Sequence, residues 1–137
     1  MWQALNLAKV AYEEDEVPVG ALVVLDGEVI GKGYNLTERL RDVTAHAEMQ
    51  AITAASEYLG GKYLEYCSLY VTLEPCTMCA GALYWSRISE LYYGASDFKH
   101  GFTNYCVSLH PKTKVYKGLM EKECLALVQS FFEERRK

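Results

Sequence analysis

Ser68-Leu69-Tyr70-Val71-Thr72-Leu73-Glu74-Pro75-Cys76-Thr77-Met78-Cys79 is the stretch whose reading decides the fold. Its first six residues form a short apolar run with β-branched and aromatic members, which reads as a strand. Pro75 opens a helix, where a missing N–H costs nothing, and the helix runs to about Trp85. A buried strand feeding a helix is the building unit of an α/β sheet. The same stretch sets two thiols, Cys76 and Cys79, at i and i+3 on one face of the first helical turn. A helix N-terminus also favours thiolate, the form that binds metal.

Working outward, Glu90–Gly94 reads as the next strand and Lys114–Leu119 as a fifth. Upstream, Gly20–Leu25 and Glu28–Asn35 flank Asp26-Gly27, a hairpin signal because that turn needs positive φ. Met1–Glu16 has Leu5, Ala8 and Tyr12 at helical spacing. Its acidic end, Glu13 to Glu16, opposes the helix dipole and frays toward Pro18. Leu36–Thr44 is a polar loop. Ala45–Leu59 is a helix with Thr44 as N-cap and Gly60-Gly61 as its stop. From Met120, Cys124, Leu127, Val128, Phe131 and Phe132 recur at helical spacing. Strands alternating with helices, several apolar on both sides, predict one α/β domain over residues 1–137 with helices on both faces of the sheet.

Half of the 137 residues are hydrophobic, enough for a core. No apolar run approaches the roughly 18 residues of a membrane helix, and the N-terminus lacks a signal-peptide pattern. Five Cys, an odd number, fit a reduced cytoplasmic protein with a metal site better than a disulfide scaffold. The net charge of −4 is unevenly spread. Residues 1–96 hold 6 Lys+Arg and 13 Asp+Glu, whereas residues 97–137 hold 8 and 5. Arg135, Arg136 and Lys137 therefore read either as a phosphate-facing end or as the solvated face of the last helix.

His46-Ala47-Glu48 lies 30 residues before Cys76. His46, Cys76 and Cys79 make three ligands for a tetrahedral Zn²⁺, one ion per subunit, and an open fourth position marks a catalytic site. Glu48 is then the acid/base that works the water in that position. A redox pair would need neither His46 nor Glu48. On a helix, however, residues at i and i+2 point to nearly opposite sides. His46 and Glu48 can share a site only at the helix mouth.

The H-x-E…P-C-x-x-C pattern is the signature of zinc nucleobase deaminases. With it, Val17-Pro18-Val19-Gly20-Ala21, Gly33-Tyr34-Asn35, Thr44-Ala45, Met78-Cys79-Ala80-Gly81-Ala82, Ser86-Arg87-Ile88, Gly94-Ala95, Asp97, Lys99, Gly101 and Glu123-Cys124 resemble the cytidine-deaminase-like superfamily. Within it, they resemble the bacterial tRNA-specific adenosine deaminases. The resemblance implies a three-layer α/β/α fold around a five-stranded mixed sheet, a homodimer, and hydrolysis of the wobble adenosine of a tRNA anticodon stem-loop to inosine. It places substrate contacts on Asn35, Ala47, Asp97 and Lys99. It lapses over Phe102–Pro111, where loops are expected to touch nucleic acid. Phe98, Lys99, His100, Phe102 and Tyr105 are suited to stacking and phosphate contact. Two alternatives remain open at this point: a deaminase of a free base or nucleoside of the guanine or cytosine type, and a non-catalytic zinc-stabilised RNA-binding subunit.

Overall fold

The computed structural model describes residues 1–136. Lys137, the last residue of the basic tail, lies outside the described residues. The elements are α1 (Trp2–Glu13), β1 (Gly20–Leu25), β2 (Glu28–Tyr34), α2 (Ala47–Leu59), β3 (Ser68–Leu73), α3 (Thr77–Ser86), β4 (Glu90–Ala95), β5 (Lys114–Lys117) and α4 (Glu121–Arg135), with a 3₁₀ turn at Phe102–Tyr105.

The five strands form one mixed sheet in the order β2-β1-β3-β4-β5. The Asp26-Gly27 turn has φ of 50° and 80°, as a two-residue hairpin requires, and β1 pairs antiparallel with both β2 and β3. β4 runs parallel to β3 because α3 carries the chain across the sheet between them. β5 is parallel to β4 at the edge.

Alternation along the strands splits the core between two faces. Leu69, Val71, Leu91 and Tyr93 turn toward Ala47, Ala51 and Ala55 of α2 and Ala80 and Leu83 of α3. On the opposite face Leu5 of α1 and Cys124 of α4 cluster with Leu125 and Leu127, joined by Ala95 at the end of β4, and Gly94 lets Cys124 lie against the sheet. The three-layer α/β/α arrangement expected from the alternating elements is therefore present.

Two helix starts differ from the sequence reading. α2 begins at Ala47 with His46 as its N-cap, not at Ala45 with Thr44 as the cap. Thr44 donates both its N–H (2.8 Å) and its hydroxyl (2.7 Å) to Asp42 Oδ1, so it belongs to the preceding turn. α3 begins at Thr77 with Cys76 as N-cap, so Pro75 precedes the helix rather than opening it. The carbonyl of Pro75 instead accepts the N–H of Phe102, at 2.9 Å. Helix α1 also stops at Glu13, which frees Glu16 to turn inward.

The small residues of β2 set how close α2 lies. A Cβ at Gly33 would stand 2.6 Å from the Ala47 carbonyl oxygen and 2.9 Å from the Ala51 nitrogen. The first turn of α2 thus rests on the strand backbone, beside the strand end that carries Asn35. Gly33→Val should lower Tm by several degrees, as overpacking by about 1–3 kcal/mol does. It should cut activity by at least about tenfold, because shifting the helix mouth by ~1 Å misplaces His46 and Glu48. Melting curves and turnover on one preparation check both.

Candidate active site

Both helix mouths open at the same end of the sheet, and each presents ligands there. His46 caps α2 in extended conformation (φ −75°, ψ 157°), and Cys76 caps α3 in the same way (φ −73°, ψ 176°). Cys79 follows on the first turn of α3. Because His46 stands before its helix and Glu48 within it, the i,i+2 pair converges instead of diverging. This resolves the geometric conflict that the sequence posed.

His46 Nδ1 lies 3.6 Å from both Cys76 Sγ and Cys79 Sγ. All three ligand atoms fall within 4.8 Å of one another. Zinc bonds of about 2.05 Å to nitrogen and about 2.3 Å to sulfur, set at a tetrahedral angle, put nitrogen and sulfur roughly 3.6 Å apart. The donor set and its spacing both fit a single zinc ion.

Electrostatics follow from proximity. Without metal, Cys76 is pushed down to about 4, first by the hydrogen bond from the Cys79 thiol and then by His46. Cys79 is raised, chiefly by the Cys76 thiolate beside it and then by burial. His46 is raised by its hydrogen bond to Cys76. Glu48 is 4% exposed. Burial pushes its carboxyl up to about 7, and the Cys76 charge adds to this. A carboxyl near neutrality beside an activated water can both take and return a proton.

Asn35 lies just past the end of β2 and is buried, with its N–H bound to the Val19 carbonyl. No fully buried side-chain polar atom lacks a partner among the described residues. Ala47 is fully buried in the core as the first residue of α2, so its side chain packs inward and only its backbone lies at the helix mouth. Asp97 turns Oδ1 back onto the N–H groups of Lys99 (3.1 Å) and His100 (2.9 Å). Lys99 is exposed, as is Phe98 at 88%. A cleft of about 480 Å³ opens beside His46, lined by Thr37, Glu38, Arg41, Asp42 and Val43.

At the protein's C-terminal end, the Arg135 guanidinium lies over the Phe131 ring at 4.3 Å and donates to the Asp15 carbonyl at 2.7 Å. Arg135 is thus folded against its own protein, while Arg136 is exposed.

The model of the family described as the cytidine and deoxycytidylate deaminase zinc-binding region matches residues 1–95. The chain belongs to this zinc-dependent deaminase family. It is 49% identical over 139 residues to the tRNA-specific adenosine deaminase of Agrobacterium fabrum, spanning 97% of this chain and 91% of that protein. It is 42% identical over 143 residues to the corresponding Bacillus subtilis protein, spanning 100% and 89%. A solved structure from a study of A-to-I editing by tRNA:A34 deaminases superposes with a TM-score of 0.84 at 49% identity, over 90% of this chain and 94% of that one. The guanine deaminase of Bacillus subtilis superposes with a TM-score of 0.70 at 31% identity, over 96% and 90%.

Two buried carboxylates of this deaminase were given no role by the sequence reading. Glu16, 1% exposed, accepts the N–H groups of Glu38 (3.1 Å) and Arg39 (2.8 Å), with the Thr37 hydroxyl at 3.4 Å. It holds the loop that lines the cleft. Glu74 does the like for the loop after β4. Their sequence signal is faint: each is an acid close before a proline, Glu16 at the end of the acidic run Glu13 to Glu16 and Glu74 alone after an apolar strand. Glu16→Ala strands two N–H groups and should cost about 2–6 kcal/mol, at about 1–3 for each group. Urea unfolding measures this, and a loss under about 0.5 kcal/mol would show the loop to be held otherwise.

Proposed function

We propose that this deaminase hydrolyses the wobble adenosine of a tRNA anticodon loop to inosine, releasing ammonia. The observation that carries the reading is the convergence of His46, Cys76, Cys79 and non-ligating Glu48 in a chain alike over nearly its full length to tRNA-specific adenosine deaminases.

Zinc held by His46, Cys76 and Cys79 supplies a Lewis acid that makes water a nucleophile near neutral pH. Glu48 takes the proton of the attacking water and delivers it to adenine N1, as the new bond forms at C6. Glu48 then carries the second proton to the amino group, which leaves as ammonia. The sum is adenosine plus water giving inosine plus ammonia. Asn35 presents an amide, donor and acceptor together, to the edge of the base. The Ala47 N–H adds a donor at the mouth of α2. Asp97 and Lys99 meet the nucleotide backbone from the loop after β4. The base must leave its stack to reach this depth, and a single-stranded anticodon loop allows that.

The chain acts as one domain over residues 1–137, in the cytoplasm, as a homodimer. Supporting the dimer, Tyr58, Leu59, Tyr63, Tyr84 and Trp85 leave an exposed apolar strip near the far ends of α2 and α3, Trp85 at 75%. Sedimentation at micromolar concentration tests it. None of the helices described is long and apolar enough to cross a membrane.

The assay that decides the function incubates the protein with an anticodon stem-loop and, in parallel, with adenosine, guanine and cytosine. Inosine from the stem-loop supports the reading. Ammonia from a free base with the RNA inert would replace it by a free-base deaminase, which the likeness to guanine deaminase keeps in view.

A further inference from the structure

Glu74 stands two residues before the ligand Cys76, yet its carboxyl faces away from the metal site and into the loop after β4. Oε1 accepts the N–H of Asp97 at 3.1 Å. Oε2 accepts the N–H of Thr103 at 3.0 Å and its hydroxyl at 2.7 Å. The side chain is 4% exposed, so these donors replace its water. Gly101 seals the arrangement, since a Cβ there would fall on the carboxyl group itself. Two backbone contacts flank it: the Glu74 N–H to the Ala95 carbonyl at 2.8 Å, and a bridge between Cys76 and Gly101.

The segment from Asp97 to Thr103 is therefore wound around one carboxylate. Everything it exposes, Phe98, Lys99 and His100 included, projects from that winding. Asn104 and Tyr105 close it from outside, by Asn104 Nδ2 to the Asp97 carbonyl (2.8 Å) and Tyr105 hydroxyl to the Lys99 carbonyl (2.8 Å). The same short stretch, Glu74 to Cys76, thus ties the RNA-facing loop to the metal site.

We propose that Glu74 is a positioning residue for the RNA substrate: it holds the Asp97–Thr103 loop in the arrangement that receives the nucleotides around the reacting adenosine. This deepens the stem-loop reading above and rests on it. A loop that is only partly in its competent arrangement weakens apparent affinity by that fraction. Once substrate is bound, the loop is in place and the chemical step proceeds as before. The effect belongs in KM and Kd, not in kcat.

The test is Glu74→Gln, which keeps the shape but turns an NH₂ group toward at least one of the former donors. KM for the anticodon stem-loop should rise about tenfold, with kcat within twofold and zinc at one per chain. Fluorescence anisotropy on a Glu48→Ala background reads binding without turnover. There, adding Glu74→Gln should weaken stem-loop Kd about tenfold. Thr103→Ala, an exposed-loop change that removes only the hydroxyl donor, should raise KM by a smaller factor, about threefold, and gives the answer if Glu74→Gln does not fold. Unchanged KM and Kd in the variants would overturn the proposal. So would a fall in kcat that tracks zinc loss, since Glu74 would then support the metal site alone. Failure of the Glu48→Ala protein to bind the stem-loop at all would instead strike the RNA reading beneath it.

Discussion

Replacing Glu48 by Gln lowers kcat by at least about a thousandfold while zinc stays bound. A positioned general acid–base contributes roughly 10² to 10⁴ in rate, and a thousandfold corresponds to about 4 kcal/mol of barrier. Glu48 carries protons twice in each turnover, first from water to the ring and then to the leaving amine. Gln has the same size and can carry neither. The metal stays because the three ligand atoms are His46 Nδ1 and the two thiol sulfurs, with the Glu48 carboxyl outside the set. Stability should be unchanged or higher. Glu48 is buried at a cost to its charged form, which is what drives its carboxyl up to about 7, and the Gln variant removes that charge. Residual activity above a tenth of wild type, at equal zinc content, would assign the proton transfer to another group.

Stripping the zinc abolishes turnover and loosens the fold, and re-adding it restores both. Ligand binding to the folded state alone stabilises by about 4 kcal/mol when free metal exceeds Kd a thousandfold. The loss on chelation should therefore be several degrees of Tm. Thiol alkylation locates the change. Cys67 and Cys124 are buried, and Cys124 is raised to about 11 by burial, so neither reacts in the folded protein. Cys106 is exposed and reacts with or without metal. Cys76, half-buried and held as thiolate by the Cys79 thiol and His46, becomes reactive only when the metal leaves. One fast thiol in the loaded protein should become two after chelation. Cys79→Ala should lose zinc and activity together. Acid weakens the site in the same direction, because protons compete with the metal for the two thiolates and the imidazole. Full activity after complete chelation, confirmed by metal analysis, would defeat the assignment.

The sequence by itself determined the chemistry of the site and the order of the elements. H-x-E and P-C-x-x-C are local patterns, and ligand identity follows from residue type. The Asp26-Gly27 hairpin, the Gly60 stop and the strand Ser68–Leu73 each rest on short-range backbone preferences, and each stands where those preferences put it.

Tertiary structure decided what depends on residues far apart in the chain. It moved the start of α2 to Ala47 and of α3 to Thr77, since cap geometry answers to the shared site and not to Thr44 or Pro75 alone. It made His46 and Glu48 compatible by placing one before the helix and one inside it. It also gave Glu16 and Glu74 their purpose: an acid just past the end of a helix or strand is unreadable until the loop that supplies its donors has folded onto it, 21 to 29 residues away. The thiols and the imidazole announce a metal in any linear reading. The two loops that frame its approach become visible only when the chain closes around two buried carboxylates, because burying a charge is tolerable only where distant N–H groups arrive to meet it.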